Sequence, residues 1–312
     1  MSNDIKNAKK LYDSKKYDES LALYEDIYSQ NPELFKRNDL ISYCWAIYQV
    51  HVKNVNDEDE LIGAAEEITE LIPQADLNYV KTCPYTFTVF KVLDLIYKQR
   101  EYYNLFYWLE KISPKLLDEK RNSFKGRTYR SRKEKYYDYL SKASLECAEW
   151  ELCIETSKEA LNTLKTFTNN GDTWHNWRIA KSLKELNHNR DALDYLNEVL
   201  TIKKEWYVYK EIAENYCILN EIEKALSYIP QAVLTDDPIK IKVNLFHLIY
   251  ILIKDENPEM ALKHAQVYCL LKDENNAEIS DDIEELNINT DELNKQDLAD
   301  EIVEYWKNFR GE

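Results

Sequence analysis

The spacing of small residues constrains this chain most. A small residue is followed 12 positions later by a second one, and 7 positions further on by an apolar or small residue. Such an interval describes two short helices that cross closely where their side chains are small. A helix pair of this kind cannot bury its apolar face alone, so the pattern predicts that copies stack on one another. The interval occurs five times, the last more loosely, at Ala8/Ser20/Ile27, Ser141/Cys153/Ala160, Ala180/Ala192/Val199, Ala213/Ala225/Ala232 and Ile249/Ala261/Tyr268.

The composition agrees with stacked helices. The 312 residues include only 4 Gly and 7 Pro. Helices disfavour both residues, whereas sheets and tight hairpins need Gly in their turns, so the shortage predicts an almost entirely helical protein. The 24 Tyr and 7 Trp supply large rings that can fill the gaps between helix pairs.

Near the N-terminus, the sequence YDESLALYEDIYSQNP (residues 17–32) is very like the second half of a tetratricopeptide repeat. The chain therefore resembles the tetratricopeptide repeat (TPR) family, with clear matches in helix pairs one, four, five, six and seven. The second small residues of the last four pairs are 39, 33 and 36 positions apart, close to the family's repeat length. The resemblance implies an all-α fold, an α-α superhelix of about seven helical hairpins plus a C-terminal helix.

The same interpretation predicts five segments along the chain. They are TPR-like units one to three (1–116), a basic connector (117–134), units four to seven (135–272), an acidic linker (273–290) and a C-terminal capping helix (291–312). The last helix has an alternative interpretation as the lead-in to a further domain. Self-association through this end of the array is a further hypothesis.

Net charge and hydropathy exclude several classes of protein. A formal net charge of −16 argues against general nucleic-acid binding by the whole surface. No 18-residue apolar run is present, so we expect no membrane partner. The polar start MSNDIKNAKK lacks a signal-peptide core, which favours a cytoplasmic location. The 6 Cys are scattered and form no CxxC pair, so we expect them to be small buried hydrophobic residues.

No catalytic motif stands out. The 4 Gly lie far apart, which excludes a phosphate-binding loop or a dinucleotide fingerprint. The 5 His form neither an HExxH motif nor a zinc-spaced cluster. His247 and His264 lie on facing helices of one unit, where we expect a packing or surface role. The sequence therefore predicts a protein that is not an enzyme and that has no cofactor and no metal site.

A binding groove is the better candidate for function. The family resemblance implies that the first helix of each pair lines the concave side. Rings flanked by cations suit an acidic peptide with an apolar anchor, which predicts a regulatory scaffold or adaptor for a protein or peptide partner. Alternatively, Trp174 and Trp177 fill core space. The residues predicted to line the groove are Lys142, Trp174, Trp177, Arg178, Lys181, Tyr207, Lys210 and Tyr250.

The sequence lacks the binding residues of one branch of the family. Its heat-shock-binding members grip a C-terminal carboxylate with Lys and Asn at fixed places. Lys210 sits at a suitable place in this chain, but Glu214 stands where Asn would be required. We therefore do not predict a chaperone co-factor of that class.

The stretch from Lys120 to Lys135 is the sharpest local anomaly. It holds eight Lys and Arg residues against one acid, Glu134, with Phe124 and Tyr129 interleaved. One interpretation is an anion-contacting loop, which would make the chain a nucleic-acid-associated regulatory protein or a binder of an acidic partner. The other is a solvated linker whose cations balance the chain's own acidic helices. The residues predicted to contact an anion are Arg127, Arg130, Arg132 and Lys133.

Overall fold

The computed structural model describes residues 2–309. The chain folds into two compact units, Met1–Gly171 and Asp172–Glu312, called unit A and unit B below. In the described residues, helices account for nearly all regular structure, and the strands form one two-stranded hairpin. The predicted all-α class is confirmed.

Unit A contains four antiparallel helix pairs. A π-helical turn over Tyr48–Val52 extends the third helix. The helices are α1 (Ser2–Asp13), α2 (Tyr17–Gln30), α3 (Arg37–Ile47), α4 (Glu58–Leu71), α5 (Pro84–Gln99), α6 (Tyr102–Glu110), α7 (Arg132–Glu146) and α8 (Trp150–Thr163), and the strands are β1 (Asn122–Phe124) and β2 (Arg127–Tyr129).

Unit B contains three helix pairs, a single helical turn and a final helix. Its helices are α9 (Gly171–Glu185), which begins at the boundary, α10 (Asn189–Ile202), α11 (Trp206–Ile218), α12 (Ile222–Val233), α13 (Val243–Ile253), α14 (Pro258–Glu274), α15 (Asp281–Glu284) and α16 (Lys295–Phe309).

The small residues lie where the paired helices cross. Both members of every predicted 12-residue interval are at most 1% exposed. Two crossings carry a side-chain hydrogen bond: the Ser20 hydroxyl donates to the carbonyl oxygen of Ala8 over 2.8 Å, and the Cys153 thiol donates to that of Ser141 over 3.3 Å. A longer side chain at these positions would push the two backbones apart, so the spacing follows from the packing.

The turns inside five of the pairs share one geometry. In each, a residue in the left-handed conformation follows the end of the first helix within two positions, with φ between 57° and 65°. In the first pair, Lys16 N–H donates to the carbonyl of Leu11 and Lys15 N–H donates to that of Tyr12, which closes the helix as a Schellman motif. None of the five residues is Gly, so these turns form without the residue that adopts positive φ most readily. These residues are Lys15, Arg100, Ala148, Asn187 and Asn220.

The basic stretch differs from the predicted loop. It forms a β-hairpin in which Phe124 pairs with Arg127 across a two-residue turn at Lys125 and Gly126. Both turn residues have positive φ, 49° and 75°, which matches the right-handed twist of the flanking strands. The sequence lacks an alternating apolar pattern here because the strands are short and lie at the surface.

The segment after α14 is not only a polar connector. It contains α15, and Ile283 in this turn has no exposed surface and joins the apolar core of unit B. His247 Nε2 lies 3.0 Å from the Asp282 carboxylate, which ties the segment to α13. The sequence does not indicate the contacts of Ile283 and Asp282, because residues of this kind are few and irregularly spaced in this acidic segment.

The last helix lies against the final helix pair. Trp306 of α16 is completely buried, and its indole N–H donates to His264 Nε2 over 3.0 Å. Because Nε2 accepts this bond, Nδ1 of His264 carries the proton and donates to the carbonyl oxygen of Met260 over 2.7 Å. His264 is therefore a buried packing residue whose two ring nitrogens are both hydrogen-bonded.

Candidate functional site

Two neighbouring first helices of unit B bring four of the predicted groove residues together. The rings of Trp177 on α9 and Tyr207 on α11 meet edge to face, with centroids 5.2 Å apart. Lys181 Nζ lies 6.0 Å from the centroid of Trp177. Both rings are half-buried, so part of each faces solvent. Lys210 follows Tyr207 by one helical turn on the same helix.

A compact ionic cluster lies beside this ring pair. Lys181 Nζ donates to Glu211 over 2.7 Å. Lys184 Nζ bridges both acids, at 3.2 Å from Glu211 and 2.6 Å from Glu214. Lys210 also donates to Glu214, one turn further along α11. Three lysines thus surround two carboxylates, which leaves a local excess of one positive charge.

The charges of this cluster stabilise one another. Burial acts to raise the pKa of Glu211, but Lys181, Lys184 and Lys210 act together more strongly and lower it. Burial likewise acts to lower the pKa of Lys184, whereas Glu211 and Glu214 raise it. The carboxylate of Glu211 and the ammonium of Lys184 are therefore both ionised at neutral pH.

Sequence reasoning missed Glu211 and Lys184. A signal was present, because Tyr207, Glu211 and Glu214 recur at the spacing of one helical face. Their partners lie about 30 positions away, at Lys181 and Lys184. Only the packing of α9 against α11 shows which lysines those carboxylates meet.

The other predicted groove residues of unit B differ in burial. Trp174 is half-buried, and Lys203 Nζ lies 5.6 Å from its ring centroid. Arg178 is buried, with 7% of its surface exposed. Tyr250 is 9% exposed, and Lys254 Nζ lies 5.7 Å from its ring. Arg178 and Tyr250 therefore offer a partner less surface than Trp177 and Tyr207, whereas Trp174 is half-buried as those two rings are.

Lys142 belongs to unit A. It pairs with Glu146 one turn further along α7, and its Nζ lies 5.7 Å from the ring of Tyr102 on α6. Its place in a groove with the residues of unit B stays a prediction.

Three of the four predicted anion-contacting residues have partners within unit A. Arg130 pairs with Asp138, and Lys133 Nζ lies 3.4 Å from Glu119. The guanidinium carbon of Arg132 lies 4.2 Å from the ring centroid of Phe87. Burial lowers the pKa of Arg132, and the contact with Phe87 replaces part of its lost hydration.

The remaining predicted anion contact, Arg127, lies exposed on β2. Within residues 2–309 it forms no ion pair, and the same holds for Lys120 and Lys125. Two further cations of the stretch are paired: Lys135 with Asp94 at 2.8 Å, and Arg121 with Glu134 at 3.4 Å. Ion pairs therefore account for four of the eight cations and Arg132 contacts a ring, and the three that remain lie in the hairpin and just before it.

A membrane-spanning helix would need a longer apolar run than any helix in residues 2–309 provides. No protein-family model matches the sequence. No curated protein sequence matches it either.

Solved structures do resemble the chain. The apo form of RapI is 13% identical and superimposes with a TM-score of 0.51, over 98% of this chain and 86% of that one. The IFIT1 monomeric mutant with Gppp-AAAA is 11% identical with a TM-score of 0.46, over 95% of this chain and 68% of that one. A Rap protein complexed with Competence and Sporulation Factor is 14% identical with a TM-score of 0.46, over 99% and 88%. The last two scores are too low to support an inference. At such low identity the likeness to RapI shows the fold alone, and the chain has a TPR-like helical-repeat fold.

Proposed function

We propose that this chain is a protein–protein interaction scaffold that performs no catalysis of its own. The observation that carries the proposal is the half-exposed pair of rings, Trp177 and Tyr207, beside the ionic cluster on α9 and α11. Partly exposed Trp and Tyr side chains held on rigid helices are typical anchors of protein interfaces.

The chemistry of this surface favours an acidic peptide with an apolar anchor. The ring pair supplies apolar area, and Lys181, Lys184 and Lys210 supply one positive charge in excess of Glu211 and Glu214. Of the two acids, Glu214 is the more accessible, with 22% of its side chain exposed against 9% for Glu211. Because Glu214 repels an incoming carboxylate, a carboxylate of the partner would approach Lys181, which is the most accessible of the three lysines with 27% of its side chain exposed and lies beside Trp177.

Selection of binding peptides tests the proposal. Peptides that bind the purified chain would be selected from a random library, and their affinities measured by calorimetry against Trp177→Ala and Tyr207→Ala. We expect acidic peptides with one large apolar residue, and about tenfold weaker binding or more for each variant. The Tyr103→Ala variant is the matched control, because Tyr103 is a 79% exposed ring of unit A.

The selection also has an outcome against the proposal. If the selected peptides bind Trp177→Ala and Tyr207→Ala as tightly as the parent chain, this surface is not the binding site. A Trp177→Phe variant that restores part of the affinity would show that the ring itself makes the contact. Circular dichroism of each variant would show that the helices remain folded.

A further inference from the structure

A concavity of about 760 Å³ lies beside the β-hairpin of unit A. One side is formed by Arg121 and the second strand of the hairpin, and the other by the segment that follows α8. A volume of this size is typical of sites that hold a small molecule. The lining residues are Arg121, Gly126, Arg127, Thr128, Tyr129, Phe167, Thr168 and Asn169.

Glu134 fixes the two sides of the concavity to each other. This carboxylate is 3% exposed and accepts hydrogen bonds from the backbone N–H of Thr168 over 2.5 Å and from its hydroxyl over 3.0 Å. The oxygen that accepts from the hydroxyl also lies 3.4 Å from Nε of Arg121. The Ser131 hydroxyl accepts from the N–H of Glu134 and caps α7, which holds the carboxylate in place.

The charge left over in the concavity is positive. Glu134 neutralises Arg121, whose side chain also forms part of the lining. Arg127 lies on the same lining and forms no ion pair with the described part of the chain. Lys125, outside the lining but next to Gly126 at the turn, is a further cation, and its Nζ lies 5.4 Å from the ring of Phe124.

Aromatic rings accompany these arginines. Tyr129 is 49% exposed at the end of β2. Phe167 on the opposite side packs against the small core of Tyr137, Ala160 and Leu164. Arginines recognise phosphate through paired N–H donors, and exposed rings stack on the flat face of a base.

We propose that this hairpin pocket binds a nucleotide, with the phosphate at Arg127 and Arg121 and the base against Tyr129. The proposal concerns unit A and does not depend on the scaffold surface of unit B. The ligand is either a free nucleotide or the phosphorylated end of a single strand. In both cases the recognised group is a terminal phosphate together with the planar base of the same nucleotide.

The charge distribution favours a compact phosphate over an acidic peptide. A phosphate carries up to two charges on one group, whereas the carboxylates of a peptide are spread along its length. The cations of the basic stretch that have neither an ion pair nor a ring contact within the described residues of unit A are confined to the hairpin and its approach, so the stretch offers an extended anion few contacts beyond the pocket. A duplex is disfavoured for the same reason.

Calorimetry with matched probes tests the proposal on the full chain. The probes are adenosine 5′-monophosphate, adenosine and inorganic phosphate, with the other three mononucleotides as a base series. We expect the mononucleotide to bind at least about tenfold more tightly than adenosine or phosphate alone, because it satisfies both the arginines and the ring of Tyr129. Arg127→Ser, at an exposed position, should weaken that binding about tenfold or more.

A control variant and two further probes complete the test. Arg190→Ser removes an exposed arginine of unit B that pairs with Glu221, and should leave nucleotide affinity unchanged. A 5′-phosphorylated oligonucleotide that binds more tightly than the mononucleotide would identify a strand end as the ligand. Equal binding of adenosine and its monophosphate, unaltered binding by Arg127→Ser, or displacement of the nucleotide by a polyglutamate peptide at lower concentration would each overturn the proposal.

Discussion

At the helix crossings, the volume of a single side chain sets how closely two backbones approach. Ala180 and Ala192 are 1% and 0% exposed where α9 and α10 cross, and neither has room for a longer side chain. Each crossing sits at the centre of its pair, so the apolar contacts on either side depend on it. The small residues therefore set the distance between the two helices, and the other contacts of each pair depend on that distance.

Enlarging one of these residues should destabilise unit B. We expect Ala192→Leu to lower the free energy of unfolding by about 1–3 kcal/mol, because added methyl groups in a packed crossing force backbone shifts. Denaturant unfolding followed by circular dichroism measures the change. Asn197→Leu is the matched control, because Asn197 is exposed on the same helix, and it should change stability by less than about 0.5 kcal/mol. Equal effects of the two variants would contradict close crossing at Ala192.

His264 makes the anchoring of α16 sensitive to acid. Burial lowers its pKa from the usual 6.5 to about 4, so the folded state holds the imidazole neutral. Its stabilising contribution is complete above pH 6.5 and is lost as the pH falls from 6.5 towards 4, because the unfolded chain takes up the proton first. Between pH 7 and pH 5 this loss should reach about 2 kcal/mol.

The comparison with His264→Gln isolates this effect. Glutamine has no charge at either pH, so the difference in unfolding free energy between pH 7 and pH 5 should be smaller in the variant by about 2 kcal/mol. Chemical unfolding of both proteins at the two pH values measures it. An identical pH dependence in the two proteins would mean that other groups carry the acid sensitivity.

Among the elements, the turns inside the helix pairs are held in a conformation that side chains disfavour. Ala148 follows the end of α7 with a φ of 60° and is exposed. A Cβ atom in this region costs roughly 1 kcal/mol, whereas Asn at the equivalent Asn187 and Asn220 tolerates it better. The Schellman hydrogen bonds hold the turn in place despite this cost.

Glycine at this turn should therefore stabilise unit A. We expect Ala148→Gly to raise the free energy of unfolding by about 0.5–1 kcal/mol, since Gly adopts positive φ without a steric penalty. Asn220→Gly in unit B is the comparison and should gain less. Thermal and denaturant unfolding would measure both. A loss of stability in Ala148→Gly would show that the greater freedom of Gly in the unfolded chain outweighs the relief.

At the scale of the whole molecule, α16 protects an apolar surface of unit B. Trp306 and Ile302 are at most 1% exposed, and Trp306 packs beside His264 and Phe309. Without α16, the surface of α14 and α12 that these residues cover would face water. Newly exposed apolar surface of this kind promotes association.

A chain ending at Asn294 should be less stable and more associated than the parent. The loss of the buried Trp306 alone should cost about 3–5 kcal/mol. Light scattering would measure the oligomeric state, and denaturant unfolding the stability. If the shortened chain is instead a smaller oligomer than the parent, α16 is a self-association interface rather than a cap.

Much of the fold could be predicted from the sequence because its determinants are local. Helix pairs follow from apolar and small residues at fixed short spacings, as at Ala8 and Ser20, and each spacing lies within about 20 residues. The apolar stripe of α16 likewise indicated an amphipathic helix with one face to bury. The hairpin was missed because strands of three residues have too little pattern to detect.

The candidate sites could be predicted only in part. The sequence located Trp177, Tyr207 and the basic stretch, but it did not show which cations would be neutralised. Arg130 meets Asp138 and Lys181 meets Glu211 through the packing of helices. Lys242 gave no signal at all: it is 2% exposed, and its ammonium donates to the carbonyls of Val233 and Thr235 near the end of α12.

The sequence by itself determined that this chain forms paired helices and roughly where each helix lies, because helix periodicity and turn geometry are properties of neighbouring residues. Only the tertiary structure decided which charges remain free, because an ion pair depends on side chains that packing brings together from about 30 residues apart, as with Lys184 and Glu214. The same packing leaves Arg127 uncompensated beside a concavity and Trp177 half-exposed beside Tyr207. The surfaces available for binding are therefore a result of helix packing, which a local pattern does not encode.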